Sequence, residues 1–315
     1  MARIVTTTPL FPDQMARLDD VGHETIVCAS EGLAAEIASA DALICMLIDR
    51  VDDALLARAP RLRIVSNVAV GYENIDIEAA RRRGVLVTNT PDVLTESTAD
   101  LTFGLLLAAA RRIAEGDAAV RADAFPAWGL DQPLLGLDVH GKTLGVVGMG
   151  RIGAAVARRG RLGFGMQILY SDRSGHETAE RELEAERVPL ERLLAESDFV
   201  CLHVPLTDET RHLIDRAALD RMKPTAILVN AARGPVVDEA ALVDALERGA
   251  IAGAGIDVYE DEPTVHPGLV ALRERVVLTP HAGSATRDTR HAMAKLAVDN
   301  VLAVLAGEPA ITPVN

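Results

Sequence analysis

The sequence predicts an α/β chain built on two doubly wound parallel sheets. Three observations carry this. At 315 residues the chain is long enough for about two domains. Short β-branched runs alternate with longer helical patterns, as parallel strands joined by crossover helices require. The alternation occurs twice, in two series separated by a long apolar segment and a stretch containing Pro and Gly.

In the first series, strands are expected at 3–7, 42–46, 62–66 and 85–88, with helices at 32–39 and 76–83. The pair Asp52-Asp53 reads as a helix start. Residues 95–112 read as one helix, apolar on nearly every side after Asp100 and therefore buried all round. It is either a core helix of one domain or one lying at a domain or subunit junction. Residues 124–136 read as a loop. The second series begins at Gly141, with strands expected at 143–147, 167–170, 199–203, 226–230, 252–257 and 276–279 and a helix at 152–162. Six strands complete a doubly wound sheet. A last helix is expected at 287–305.

Composition narrows the function. Hydrophobic residues make up 49% and charged residues 25%, so the chain folds, and with 3% aromatics its core is aliphatic. Forty-six acids against 32 bases give a net charge of -14, which disfavours nucleic-acid phosphates and anionic membranes. An anionic substrate would then need a local Arg or Lys. Cys28, Cys45 and Cys201 form no Cys-x-x-Cys pair and fit a reducing compartment. The N-terminus lacks the apolar centre of a signal peptide, and the apolar run at 101–110 is too short for a membrane span. A cytoplasmic protein is expected. No His, Asp and Glu grouping has metal-ligand spacing.

Gly148-Met-Gly150-Arg-Ile-Gly153 follows an apolar strand and opens a helix. The first glycine permits a tight turn and the second a close approach of backbone to a pyrophosphate. The third allows helix and strand to pack, and the helix N-terminus offers free N–H groups to the phosphates. Asp172 lies 19 residues beyond Gly153, at the end of the next strand, where an acid accepts from the adenosine ribose hydroxyls. An acid there favours NAD, while the adjacent Arg173 leaves NADP possible.

Three further candidates follow predicted strands, at the edge where open α/β sheets bind ligands. They are Arg233 in Asn230-Ala-Ala-Arg-Gly, Glu262 in Asp257-Val-Tyr-Glu-Asp-Glu-Pro and His281 in Thr279-Pro-His-Ala-Gly. Alone, each reads as a surface charge. Together they suit hydride transfer to a carbonyl: His supplies a proton near neutral pH, a carboxylate orients it, and Arg grips a substrate carboxylate with its planar fork. His203, ending a strand, reads as a pocket wall or core histidine.

Several stretches also match one family. Asn67-Val-Ala-Val-Gly71-Tyr-Glu-Asn-Ile-Asp76, Thr88-Asn-Thr-Pro-Asp92, His203-Val-Pro-Leu-Thr207, Asn230-Ala-Ala-Arg233-Gly and Pro280-His281-Ala-Gly-Ser-Ala-Thr286 resemble the D-2-hydroxyacid dehydrogenase family, on its glyoxylate/hydroxypyruvate reductase branch. The resemblance spans essentially the whole chain. It implies a Rossmann dinucleotide-binding domain at 98–284 and a discontinuous, flavodoxin-like substrate domain at 1–97 and 285–315. It implies NAD(P)-dependent reduction of a small 2-oxo acid, with Arg233, Glu262 and His281 in the catalytic places. Arg151, Ile152, Asp172, Pro205, Ala231 and Asp257 would touch the dinucleotide. Leu47 and the backbone at Val70 and Gly71 would line the substrate. It also implies a homodimer formed around the apolar helix and the following loop.

Two departures bear on the pocket. Residues 129–134 carry no aromatic where these reductases often do, with Trp128 nearby but offset. Ala282 follows His281 where Ile is commoner. The alternatives kept open are oxidation of another small anion such as phosphite, another 2-hydroxy acid, and a non-catalytic NAD-sensing binding protein. Formate dehydrogenase-like enzymes are disfavoured, because they carry Gln at the position of Glu262.

Overall fold

The computed structural model describes residues 1–315, which divide into two compact units. The first comprises Met1–Leu94 and Ala285–Asn315, the second Thr95–Ser284.

The first unit holds five parallel strands, β1 (Arg3–Thr6), β2 (Glu24–Val27), β3 (Ala42–Cys45), β4 (Ile64–Asn67) and β5 (Leu86–Thr88), in the order β2-β1-β3-β4-β5. This is the flavodoxin-like winding. β3 and β4 are buried at every residue, as strands covered on both faces must be. Helix Arg287–Ala306 returns to this unit: Ser66 Oγ donates to the carbonyl of Ala297 at 3.1 Å, and Arg63 donates to that of Val304. The tail continues along β5, with Val314 N donating to Val87 O at 2.9 Å.

The expected helix at 32–39 is not continuous. Ser30–Gly32 and Ile37–Ser39 are 3-10 turns around one α-turn, Leu33–Glu36. Only Leu33 and Ile37 bury apolar side chains there, so one turn of contact is all the packing supports. β2 went unrecognised because its residues are exposed or half-buried, without an apolar run. Asp52 does start a helix: its carboxylate accepts from Leu55 N at 2.9 Å.

The second unit holds seven parallel strands rather than the expected six: β6 (Thr143–Val147), β7 (Gln167–Ser171), β8 (Glu186–Arg187), β9 (Phe199–Leu202), β10 (Ile227–Asn230), β11 (Gly253–Ile256) and β12 (Val276–Leu278). Their order is β12-β11-β10-β9-β6-β7-β8. That is the Rossmann order with one strand added at the far edge. The missed strand, β8, is two exposed residues long and has no apolar signature. Helix Thr95–Ala110 lies wholly in this unit, against β10 and β11. A side chain at Gly255 would sit 2.9 Å from Leu105 Cβ, which explains a glycine in the middle of β11.

Candidate active site

The glycine loop crosses the carboxyl end of β6. Gly148 has φ +93°, and a Cβ there would lie 2.7 Å from the carbonyl oxygen of His203. At Gly153 a Cβ would lie 2.1 Å from the Gly148 carbonyl oxygen, so the third glycine is required for the helix to close on the turn. Gly150 is different. A Cβ there would meet nothing within 4 Å, and what its absence leaves is space beside the N-terminus of helix Arg151–Phe164. That helix has no side-chain cap. An uncapped N-terminus beside a bare, open glycine fits a dinucleotide pyrophosphate.

Asp172 follows β7, and its Oδ2 accepts from Met149 N at 2.8 Å. The acid is tied to the glycine loop, not simply solvated. Arg187 on β8 donates to the carbonyls of Asp172 and Arg173, at 2.9 and 2.7 Å, and steadies that turn. Arg151 and Ile152 open the helix, and Pro205 and Ala231 follow β9 and β10. All of these lie past the carboxyl ends of neighbouring strands, at one edge of the sheet.

Arg233 follows β10 on a turn fixed by Asn230. The Asn230 side chain donates to Arg233 O at 2.9 Å and accepts from Ala232 N at 3.1 Å. Gly234 has no room for a side chain, because its Cβ would fall 1.9 Å from the Tyr259 carbonyl carbon. The Arg233 turn is thereby pressed against the 259–262 segment. Glu262 Oε1 accepts from Tyr259 N at 3.0 Å, and its Oε2 pairs with His281 Nδ1 at 2.8 Å. Burial alone would raise the Glu262 carboxyl. The hydrogen bonds from His281 and Tyr259 N, with the charges of His281 and Arg233, outweigh it and hold the group below the usual carboxylate range. The second unit thus brings Arg233, Glu262 and His281 together. With Glu262 on Nδ1, Nε2 is the nitrogen of His281 that the carboxylate leaves uncommitted.

Asp257 sits differently from a simple cofactor contact. It is 1% exposed and accepts from Thr279 Oγ1 at 2.6 Å, Ala282 N at 2.7 Å and Gly283 N at 2.9 Å. Burial raises its carboxyl above the usual value, and these donors offset only part of that. His281 N also donates to Asp257 O at 2.8 Å, so Asp257 builds the turn on which His281 sits. No sequence pattern signals this, nor Glu239, a buried acid that accepts from Glu260 N at 2.9 Å beside the Glu262 segment. His203 follows β9 with a buried Nε2 that has no hydrogen-bond partner, and burial pushes its pKa down to about 4. A cavity of about 540 Å3 opens at the opposite edge, among Arg112, Ile227, Gly253 and Arg275, and contains none of these residues.

In the first unit Leu47 follows β3, and Val70 and Gly71 follow β4; all three are partly exposed.

A Rossmann sheet with an open glycine loop, and an acid at the end of the next strand, defines a nicotinamide-dinucleotide oxidoreductase. The family follows from comparison with known proteins. Residues 103–283 match the NAD binding domain of the D-isomer specific 2-hydroxyacid dehydrogenases, and the chain belongs to that family. It is 54% identical over 299 residues to a glyoxylate reductase of Pyrococcus furiosus, covering 94% of this chain and 88% of the relative. Among solved structures it resembles an NADPH-dependent glyoxylate/hydroxypyruvate reductase from Sinorhizobium meliloti in complex with NADP and malonate. The identity is 36% and the TM-score 0.87, with 99% of this chain and 96% of that one covered. It also resembles a D-lactate dehydrogenase from Aquifex aeolicus complexed with NAD and lactic acid, at 31% identity and TM-score 0.87, with 97% and 96% covered. No helix is long and apolar enough to cross a membrane.

Proposed function

We propose that this dehydrogenase reduces glyoxylate to glycolate, and hydroxypyruvate to D-glycerate. The observation that carries the reading is the Glu262–His281 pair, at the same sheet edge as the glycine loop. Two relatives named for these substrates support the choice among 2-oxo acids.

Gly148, Gly150, Gly153, Arg151, Ile152, Asp172, Pro205, Ala231 and Asp257 would hold the reduced dinucleotide, whose nicotinamide would supply a hydride for the substrate carbonyl carbon. The residues do the rest. His281 Nε2–H gives its proton to the oxygen as negative charge gathers there, and Glu262 on Nδ1 holds the ring in place. Arg233 binds the substrate carboxylate, the local cation that a chain of net charge -14 needs. Leu47 and the backbone at Val70 and Gly71 complete the substrate contacts. The enzyme acts in the cytoplasm as a homodimer. Phe125, Trp128 and Leu130, exposed at 74%, 84% and 89%, support the dimer, because large apolar side chains this open suit a partner surface.

The test is a panel of 2-oxo acids assayed by loss of reduced-cofactor absorbance. Glyoxylate and hydroxypyruvate should show the highest kcat/KM. Faster turnover of pyruvate or of a bulkier oxo acid would overturn the assignment.

A further inference from the structure

We propose that Asn67 and Asn89 are positioning residues that aim the backbone N–H groups after β4 at the substrate carboxylate. The inference rests on the reading above, in which Val70 and Gly71 bind that group.

The loop leaves the carboxyl end of β4 and carries no cationic side chain between Val68 and Asn74. Three consecutive carbonyls in it are taken up by the body of the unit. Thr90 N donates to Ala69 O at 2.8 Å, Asn89 Nδ2 to Val70 O at 2.8 Å and Asn67 Nδ2 to Gly71 O at 2.8 Å. In a trans peptide the C=O and the following N–H point in opposite directions. Fixing the carbonyls of 69, 70 and 71 therefore aims the N–H groups of Val70, Gly71 and Tyr72 away from the anchors. No protein group accepts from any of these three. Consecutive N–H groups turned to one side make an anion receptor without a charged side chain.

Both amides are built in. Asn67 is fully buried, and its Oδ1 accepts from Cys45 Sγ at 3.6 Å. Its Nδ2 also donates to Asn74 Oδ1 at 3.2 Å, while Asn74 Nδ2 donates to the carbonyls of Met46 and Asp49 at 3.2 and 2.9 Å. Asn89 is 9% exposed, and its backbone carbonyl accepts from Thr312 Oγ1 at 2.6 Å. Asn67 is held through its side chain and Asn89 through its backbone, so neither amide is free to follow a loop that moves. Asp or Leu at either position would keep the size and lose the donor.

The experiment compares wild type with Asn89→Ala, Asn89→Ser and Asn67→Ala. It measures kcat and KM for glyoxylate and the inhibition constant of oxamate, an unreactive carboxylate-bearing analogue. NADH affinity by fluorescence and thermal unfolding are followed in parallel. Losing one clamp should raise the glyoxylate KM and the oxamate inhibition constant together, by about three- to tenfold, the usual scale of one hydrogen bond. The turnover of folded molecules and NADH affinity should stay close to wild type, and Asn89→Ser should recover part of the loss through its hydroxyl.

A purely structural role would instead lower the unfolding temperature and the active fraction and leave oxamate inhibition unmoved; that result overturns the proposal. Should Asn67→Ala fail to fold, the two Asn89 variants decide it. The two readings fail differently. If wild type reduces methylglyoxal, which has no carboxylate, as well as glyoxylate, and oxamate does not compete, the carboxylate-binding reading falls and the clamps with it. If wild type discriminates and the variants match it, only the clamps fall.

Discussion

Glu262 and His281, 19 residues apart in the chain, meet at 2.8 Å between Oε2 and Nδ1, each about one-third exposed. Substrate can therefore reach the ring while one nitrogen stays committed to the carboxylate. Glu262→Gln keeps the size but offers the His281 ring a weaker, uncharged partner, so kcat should fall by roughly tenfold or more. NADH affinity should not change. Wild-type turnover in this variant would contradict the pairing. In His281→Ala turnover should fall by roughly 100-fold or more, again with NADH affinity kept.

Arg233 is held by Asn230 and pressed toward the Glu262 segment by Gly234, so its position is fixed before substrate arrives. Removing one partner of a desolvated charge pair costs about 2–5 kcal/mol. In Arg233→Ala kcat/KM for glyoxylate should thus fall by roughly 30-fold to several thousand-fold. Arg233→Lys should fall in between, because a single ammonium loses the two-pronged grip. Selectivity for glyoxylate over methylglyoxal should largely disappear in the alanine variant. If it persists, another group holds the carboxylate.

Asp172 should make NADH the better cofactor. One of its oxygens is occupied by Met149 N, and a 2′-phosphate brought near the other meets a negative charge. Asp172→Ala should narrow the ratio of kcat/KM for NADH over NADPH while raising the KM for NADH. Wild-type preference for NADPH would show that Arg173 governs the site.

His203 predicts a pH dependence of stability. Its folded pKa is about 4, and that of an exposed histidine is 6.5. Above pH 6.5 the ring is neutral folded or unfolded and contributes nothing. As pH falls below 6.5 the unfolded chain takes up a proton that the native ring refuses, and stability is lost progressively down to about pH 4. Between pH 7 and pH 5 the loss is about 2 kcal/mol. Urea unfolding of His203→Gln at the two pH values should lack that increment. An unchanged pH dependence would mean that the native ring is not held neutral.

Much of this was legible in the sequence where chemistry forces a residue type. Gly148 needs a positive φ and Gly153 touches a carbonyl oxygen, so the loop declares itself. The inner strands, buried on both faces, read as apolar runs. β8 and β2 did not, because edge strands bury too little to leave a pattern. Arg233, Glu262 and His281 were legible as residues following strands. The parts that position them were not. Asp257 accepting from Ala282 N and Asn230 bracing Arg233 are side chain-to-backbone bonds, and no periodicity records which carbonyl or N–H a side chain will find.

The interrupted first unit has a consequence for synthesis. Its Met1–Leu94 part is made first, and Ala285–Asn315 is added only after the 190 residues between them. At 5–20 residues per second that interval is about 10–40 s. Throughout it the face of β4 that receives helix Arg287–Ala306 is uncovered, and the Val87 carbonyl awaits Val314. The second unit, continuous in the chain, has all its strands by Ser284. The nascent protein should thus expose a sticky half-sheet while the second unit is already complete, and a chain held with Ser284 just clear of the ribosome should be cut by protease within its first 94 residues and resist beyond them. The part of the molecule begun first is the last to be sealed, and there a chaperone has the longest time to bind.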